Sequence, residues 1–351
     1  MKEYKPYIDT IFLAVFGGIL FNQFNLPLPW MLGPLTAVML WSGFTDRVLV
    51  WPNYLKNAGL IILGMSFGLN FTLETIQIIG PYIIPYVLLT FLLIIVSIIN
   101  SLIASKFINV DQVTSVFGSI PGGLTEMVIA SESLKANAAY VMVFQTLRLI
   151  VVLFTVPFII LYAFSTGSVP SPTIDVEPDA IFMSLNVFWL IIPIVLAVRF
   201  QHLLPAGIMI IPLVVIATMN VSPIAIPSIP NGLFLAAQLC VGTSLGKSIS
   251  LKDVKLAGKY SVVYAGLALL LIFISFGFGY LLYTYTSMDL STALLSTAPG
   301  GLVEMVLTAS MVDADPAIVT SLQLTRIIII VVFVPAGLKW YFTRNKKKQA
   351  A

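Results

Sequence analysis

The chain has 351 residues, of which 59% are hydrophobic and only 9% are charged, and its mean hydropathy is +1.02. Because an average soluble domain carries about 25% charged residues, this composition excludes a soluble enzyme, a disordered chain and a nucleic-acid-binding domain. It predicts an all-α polytopic membrane protein, since about 20 apolar residues in a helix span a bilayer. A single cysteine excludes an intrachain disulfide, and a single histidine is too few for a histidine-rich metal site. We therefore expect no metal and no cofactor.

The first half of the chain contains six apolar stretches. The first follows a short basic segment and lacks the small-residue exit of a cleaved signal peptide, so we expect it to stay as the first membrane helix. The six stretches lie at residues 8–24, 29–44, 57–72, 79–105, 111–131 and 137–163. The fifth is interrupted by Pro121, Gly122 and Gly123, a combination that breaks a helix.

A polar segment at 164–180 follows, rich in serine, proline and acidic residues. This composition predicts an extracytoplasmic linker. Beyond it lie six further apolar stretches, at residues 181–198, 205–220, 230–246, 260–285, 290–310 and 315–341. The fifth of these is again broken, by Pro299, Gly300 and Gly301.

The two halves are copies of one unit. Residues 118–159 align without a gap to 296–337 at an offset of 178 residues, and 15 of the 42 aligned positions are identical. A repeat of this kind is strong evidence about architecture. The sequence therefore predicts a first membrane repeat at 1–163, a second membrane repeat at 181–341 and a basic cytoplasmic tail at 342–351.

Charge placement predicts how the repeats cross the membrane. If all twelve stretches crossed, the lysines and arginines outside them would divide ten inside and six outside. If each broken stretch instead dips in and returns on its own side, all sixteen fall on the cytoplasmic side, as the positive-inside rule favours. This topology has about 10 spanning helices plus two re-entrant or discontinuous helices, with both termini cytoplasmic. Five crossings in each half make the repeats inverted, an arrangement typical of secondary transporters.

A second topology also gives an odd number of crossings in each half. In it, the first two stretches form a short hairpin and the broken helix spans the bilayer completely. We rank it lower because it places the basic tail outside.

Two arginines and two glutamates lie within the apolar stretches. Arg148 and Arg326 occupy equivalent positions in the last long stretch of each half, and Glu126 and Glu304 closely follow the two breaks. A charge inside a bilayer costs at least roughly 2.5–3.5 kcal/mol on insertion scales. We therefore expect two Glu–Arg pairs near a central pseudo-two-fold axis. The alternative is a structural ion pair that locks each half.

The breaks supply the second part of the predicted site. A helix that restarts inside a membrane presents unpaired N–H groups and the positive end of its dipole, and glycines allow a ligand close to the backbone. Each arginine is preceded by a glutamine three residues earlier on the same helical face, for which interhelical hydrogen bonding is an equally favoured role. The predicted substrate- or ion-binding residues are Ser66, Pro121, Gly122, Gly123, Glu126, Gln145, Arg148, Ser244, Pro299, Gly300, Gly301, Glu304, Gln323 and Arg326.

The doubled Pro-Gly-Gly-Leu-x-Glu-Met motif, at 121–127 and 299–305, resembles the duplicated unit of the bacterial AbrB-type membrane protein family. The resemblance covers about residues 8–341. The chain is also distantly similar to the cation/proton antiporter and bile-acid symporter superfamily, which implies that both motifs form the broken helix of a transport core. It lacks the Asp-Asp or Asn-Asp pair of the antiporters, which argues against sodium/proton exchange.

The AbrB-type resemblance also brings two functional labels, regulator of gene expression and ammonia monooxygenase. A regulator that acts directly on DNA needs a basic soluble module, which this sequence lacks. A copper or iron monooxygenase needs several histidine or carboxylate ligands, which one histidine does not supply. We expect no enzyme and no catalytic residues.

The function that the sequence predicts is a secondary transporter of a small organic or amphipathic anion, coupled to H⁺ or Na⁺. The alternative is a membrane sensor or regulator that affects gene expression indirectly. The expected partners are a small-molecule or ion substrate and the lipid bilayer, with no nucleic acid, and a homodimer is one assembly that the sequence allows. The expected location is the bacterial inner (plasma) membrane.

Overall fold

The computed structural model describes residues 5–45, 49–164, 185–204, 206–222 and 226–349. Within these ranges the regular secondary structure is entirely helical, and no strand occurs. The predicted linker lies outside the described residues from position 165 onward, and the side chains of the basic tail are outside them from position 343.

The helices of the first half follow the predicted stretches closely. They are α1 (Lys5–Gln23), α2 (Pro29–Phe44), α3 (Asn53–Gly68), α4 (Leu73–Phe107), α5 (Gln112–Ser119), α6 (Leu124–Glu132) and α7 (Ala138–Ile159). The last of these continues as a π-helical turn, Ile160–Phe164.

The second half repeats this order. After a 3₁₀ turn at Leu185–Leu190 come α8 (Ile191–Phe200), α9 (Gly207–Val221), α10 (Asn231–Ser248), α11 (Leu251–Leu256), α12 (Lys259–Tyr285), α13 (Leu290–Thr297), α14 (Leu302–Ala309) and α15 (Pro316–Gln349). The offset of 178 residues also relates the helix starts: α2 to α9, α3 to α10, α5 to α13, α6 to α14 and α7 to α15 all begin at equivalent residues. Both short helices before the breaks are capped alike, because Asp111 and Asp289 each accept a backbone N–H three residues later at 2.8 Å.

Four helices of the described chain are long and apolar enough to cross a membrane. They are Leu73–Phe107, Ala138–Phe164, Lys259–Tyr285 and Pro316–Phe342. Two shorter apolar helices, Phe188–Phe200 and Gly207–Val221, accompany them. The protein is thus a helical membrane protein, while the ten crossings, the inversion and the cytoplasmic termini stay predictions.

The chain divides into two compact units, and each unit contains segments of both repeats. The first unit comprises Met1–Gly80, Pro157–Leu251 and Val306–Ile318. Within it α2 packs on α10 and α3 packs on α9. These contacts are reciprocal: a Cβ on Gly64 would collide with the Met209 carbonyl, and a Cβ on Gly242 would collide with the Met31 carbonyl. Small residues allow this close approach of helices.

The second unit comprises Pro81–Val156, Lys252–Met305 and Val319–Ala351. It holds both Pro-Gly-Gly breaks. Its core includes Phe117 and Ile120 before the first break, Met127 after it, and Val334 of α15. The repeats of the sequence and the compact units of the structure therefore divide the chain differently.

Candidate functional site

The two breaks have the same backbone geometry. Gly122 donates its N–H to the Ile120 carbonyl, and Gly300 donates its N–H to the Ala298 carbonyl. Both N···O distances are 2.8 Å. The space above each of these glycines is filled, because a Cβ on Gly122 would collide with the Met127 side chain and one on Gly300 with that of Met305. One face of each glycine is therefore covered by a methionine side chain in this conformation, and the approach of a ligand to the backbone stays a prediction.

Each arginine braces the carbonyl side of its own break. Arg148 donates from Nη1 to the Ile120 carbonyl at 2.9 Å and from Nη2 to the Gly122 carbonyl at 3.0 Å. Arg326 makes the equivalent bonds to the carbonyls of Ala298 and Gly300. Both arginines are buried, with 8% and 3% of their surfaces exposed. The planar fork of a guanidinium suits two acceptors held in one turn.

The glutamines bind the same ends of the broken helices. Gln145 Nε2 donates to the carbonyls of Phe117 at 2.6 Å and Ile120 at 3.0 Å. Gln323 Nε2 donates to the equivalent Leu295 carbonyl at 2.7 Å. A helix that ends inside a membrane leaves carbonyls without intrahelical partners, and these amides and guanidiniums supply the missing donors. The glutamines therefore do make interhelical hydrogen bonds.

The hydrogen bonds described for both arginines go to carbonyl oxygens of the breaks, while the expected Glu–Arg pairing stays a prediction. Glu304 is 5% exposed and lies in the first turn of α14. Its carboxylate curls back over Gly301, where a Cβ would collide with Oε2. The side chain of Glu126 lies outside the described part of the structure.

Each arginine and each glutamine also has one buried atom that no described residue satisfies. These atoms are Nε of Arg148 and Arg326 and Oε1 of Gln145 and Gln323. Buried polar groups are nearly always hydrogen-bonded, so such an atom calls for a water or ligand. The second unit thus concentrates positive charge and unused hydrogen-bonding capacity at the two breaks.

A small cavity lies beside each arginine, and the two cavities are equivalent in the repeat. Each has a volume of about 10 Å³, roughly the room that one water molecule needs. Their lining residues correspond at the offset of 178: Arg148 with Arg326, Ser119 with Thr297, Tyr264 with Tyr86, Leu267 with Leu89, and Leu271 with Leu93. Each cavity is therefore lined by residues of both repeats. Tyr264 of the second repeat lines the cavity at Arg148, and Tyr86 of the first repeat lines the cavity at Arg326.

The two predicted serines belong to the other compact unit. Ser66 lies on α3 and Ser244 on α10, both in the first unit. The Ser66 hydroxyl is buried and no described residue bonds it. The predicted set is therefore split, with its proline, glycine, glutamate, glutamine and arginine members in the second unit and its serines in the first.

Sequence reasoning missed the two tyrosines, Tyr264 and Tyr86, that line the cavities at Arg148 and Arg326. The Tyr264 hydroxyl donates to Ser115 Oγ at 2.7 Å, and the Tyr86 hydroxyl donates to the Ser296 carbonyl at 2.9 Å. The signal was present, because Tyr86 and Tyr264 are identical residues at the same offset of 178 inside apolar stretches. Among the described residues, no group of three or more His, Cys, Asp or Glu side chains is placed to hold a metal ion.

The described part of the chain has only helices as regular secondary structure, four of them apolar and long enough to cross a membrane, and this defines the class of helical membrane proteins. Residues 10–342 match the family described as "Transition state regulatory protein AbrB". The chain belongs to this family, which confirms the resemblance seen in its doubled motif.

Two relatives match over almost their full lengths. The chain is 24% identical over 359 residues to "Uncharacterized protein YhjN" of Bacillus subtilis (strain 168), covering 95% of this chain and 93% of that protein. It is 25% identical over 349 residues to "Putative regulator AbrB" of Escherichia coli (strain K12), covering 96% and 97%. No solved structure matches the chain.

Proposed function

We propose that the protein is a secondary transporter that moves a small organic or amphipathic anion, coupled to H⁺ or Na⁺. The observation that carries the proposal is the pair of buried arginines that bind the carbonyl oxygens of the two helix breaks within one compact unit. Two buried positive charges in an apolar surrounding are costly, and an anion bound beside one of them would offset part of that cost. Discontinuous helices around such a site are typical of secondary transporters.

Glu304 is the residue that we propose for coupling. It is a buried carboxyl group at the start of α14, directly after the break that Arg326 braces. Adding a proton or a sodium ion there removes a negative charge from the neighbourhood of the break. Anion affinity would therefore depend on whether the carboxyl group is neutralised, which is the linkage that coupled transport needs. By the repeat, Glu126 is the equivalent candidate.

The second candidate is a membrane sensor that binds the same anion without moving it. The names of the family and of the Escherichia coli relative, which speak of regulation, favour it. A sensor of this kind acts on gene expression through another protein, because the chain has no basic soluble module for DNA.

Uptake into proteoliposomes tests the transporter proposal. Vesicles with an imposed inward H⁺ or Na⁺ gradient are given radiolabelled acetate, lactate, succinate or octanoate, and uptake is compared with that of empty vesicles. We expect gradient-driven uptake of at least one acid, with a loss of at least about tenfold in Glu304→Gln. Glu74→Gln, which changes an exposed glutamate, should transport normally.

Two results would decide against transport. If no acid enters faster than in empty vesicles under either gradient, or if Glu304→Gln matches the wild type for every acid, the coupled-transporter proposal fails. Saturable binding of an acid without uptake would instead support the sensor.

A further inference from the structure

The two equivalent cavities differ in polarity at two lining positions. At the first, Ala268 of the cavity at Arg148 corresponds to Thr90 of the cavity at Arg326, and the second carries an amide in only one of the cavities. The cavity at Arg148 is lined by Asn100, and the cavity at Arg326 is lined by Phe278 at the equivalent position. An amide offers two donors and one acceptor, whereas a phenyl ring offers neither. Both cavities therefore contain an arginine, but only the cavity at Arg148 has an amide at this position.

We infer that the cavity at Arg148 is an asymmetric subsite for one small anionic group, held between the Arg148 guanidinium and the Asn100 amide, since both residues line it. Arg148 is nine-tenths buried, and its Nε–H has no acceptor among the described residues. Each of its Nη atoms donates one N–H to the break and carries a second N–H. A buried charged donor without a partner is costly, and an anion at this point satisfies it.

The remaining polar groups of this cavity are bound to protein. Ser97 donates to the Ser119 carbonyl at 3.2 Å, Ser101 and Ser115 share a hydrogen bond of 2.9 Å, and Tyr264 donates to Ser115 at 2.7 Å. These contacts leave the Arg148 Nε–H and the Asn100 amide to bind a guest. Two N–H donors, one of them charged, select an anion over a cation.

The size of the cavity limits the guest. About 10 Å³ accepts a group comparable to one water molecule, such as a halide ion or one oxygen of a carboxylate. A phosphate or a whole dicarboxylate does not fit this conformation. The subsite therefore binds a halide or the carboxylate head of an organic acid.

This inference deepens the proposed function by naming where the anion's head group binds, but binding is measured separately from transport. The probe is chloride, followed by the ³⁵Cl NMR linewidth of the purified protein in detergent without any gradient. Formate and acetate are then added as competitors. We expect protein-dependent broadening that is saturable and that formate reverses. Bromide is added in a separate titration. Displacement of chloride by formate at a lower concentration than by bromide identifies a carboxylate subsite, and the reverse order identifies a halide subsite.

The repeat supplies matched variants. Asn100→Leu should weaken chloride or formate binding by about tenfold, because it removes a hydrogen bond to a charged ligand. Phe278→Leu, at the equivalent position, should leave binding unchanged. Neither variant touches the bonds between the arginines and the breaks, and equal unfolding temperatures will show that both fold.

The inference is overturned if chloride and formate bind equally to the wild type and Asn100→Leu, or if Phe278→Leu is the variant that loses binding. It is also overturned if neither anion binds, since the cavity would then hold only water. If the protein binds formate through Asn100 but does not transport any acid, the subsite inference is supported and the transporter proposal is rejected.

Discussion

Arg148 Nη2 donates to the carbonyl oxygen of Gly122 at 3.0 Å, across 26 residues of sequence. The guanidinium therefore binds the negative, carbonyl-rich end of α5, in accord with the preference of cations for helix C-termini. The arginine has two roles in this arrangement. Its Nη atoms bind the carbonyl oxygens of the break, and its side chain lines the cavity that we propose as an anion subsite.

Arg148→Lys should lower stability even though the charge is kept. A lysine ammonium is a point charge that does not reproduce the planar fork, so one of the bonds to Ile120 and Gly122 is lost. We expect a cost of about 1.5–3 kcal/mol, the range for hydrogen bonds to charged groups. Thermal unfolding in detergent measures it. Arg199→Lys changes an exposed arginine and should leave the unfolding temperature unchanged. Equal unfolding temperatures for the two variants would contradict a stabilising role for the hydrogen bonds from Arg148 to the break.

Gln145→Glu should be more harmful than Gln145→Met. The amide donates to two carbonyls, and an ionised carboxylate would present only acceptors to them. The methionine variant should cost about 1–3 kcal/mol, because a carbonyl loses its donor, and the glutamate variant adds a buried charge. The unfolding temperature should fall in the order wild type, Met, Glu. Gln112→Glu, at an exposed site, serves as the control, and a reversed order would argue against the assigned amide donor.

Much of this fold could be predicted from the repeat. The offset of 178 places the helix starts of the second half at the residues equivalent to those of the first, and the doubled Pro-Gly-Gly motif predicts both breaks. The positions of Arg148 and Arg326 also mark the site. These features are local or periodic, so they can be read along one chain.

The partners of the charged residues could not be predicted in the same way. Charge alone predicts a pairing of Arg326 with Glu304, whereas the carbonyl oxygens of the break that accept hydrogen bonds from this guanidinium are invisible in a side-chain pattern. The contact of Tyr86 with the Ser296 carbonyl joins residues 210 apart. Such contacts depend on how the helices of one repeat pack against those of the other, which sequence spacing does not encode.

Cysteine labelling tests the predicted topology. In a Cys240→Ala background, cysteines introduced at Asp313 and at Ser171, which lies outside the described residues, should react with a membrane-impermeant maleimide added to intact cells. A cysteine at Lys252, in the predicted cytoplasmic loop, should react only after permeabilisation. Protection of Asp313→Cys in intact cells would reject the re-entrant topology.

Gly242→Ala should strongly destabilise the first unit. A Cβ on Gly242 would collide with the carbonyl of Met31, and relief requires movement of the α2 or α10 backbone. Overpacking of this kind costs about 1–3 kcal/mol. Gly64→Ala, which meets the Met209 carbonyl in the equivalent contact, should cost a similar amount. Gly232→Ala is the matched control on α10, because a Cβ there meets nothing within 4 Å. Thermal unfolding that ranks Gly232→Ala with the other two would show that helix propensity, rather than close packing, decides these positions.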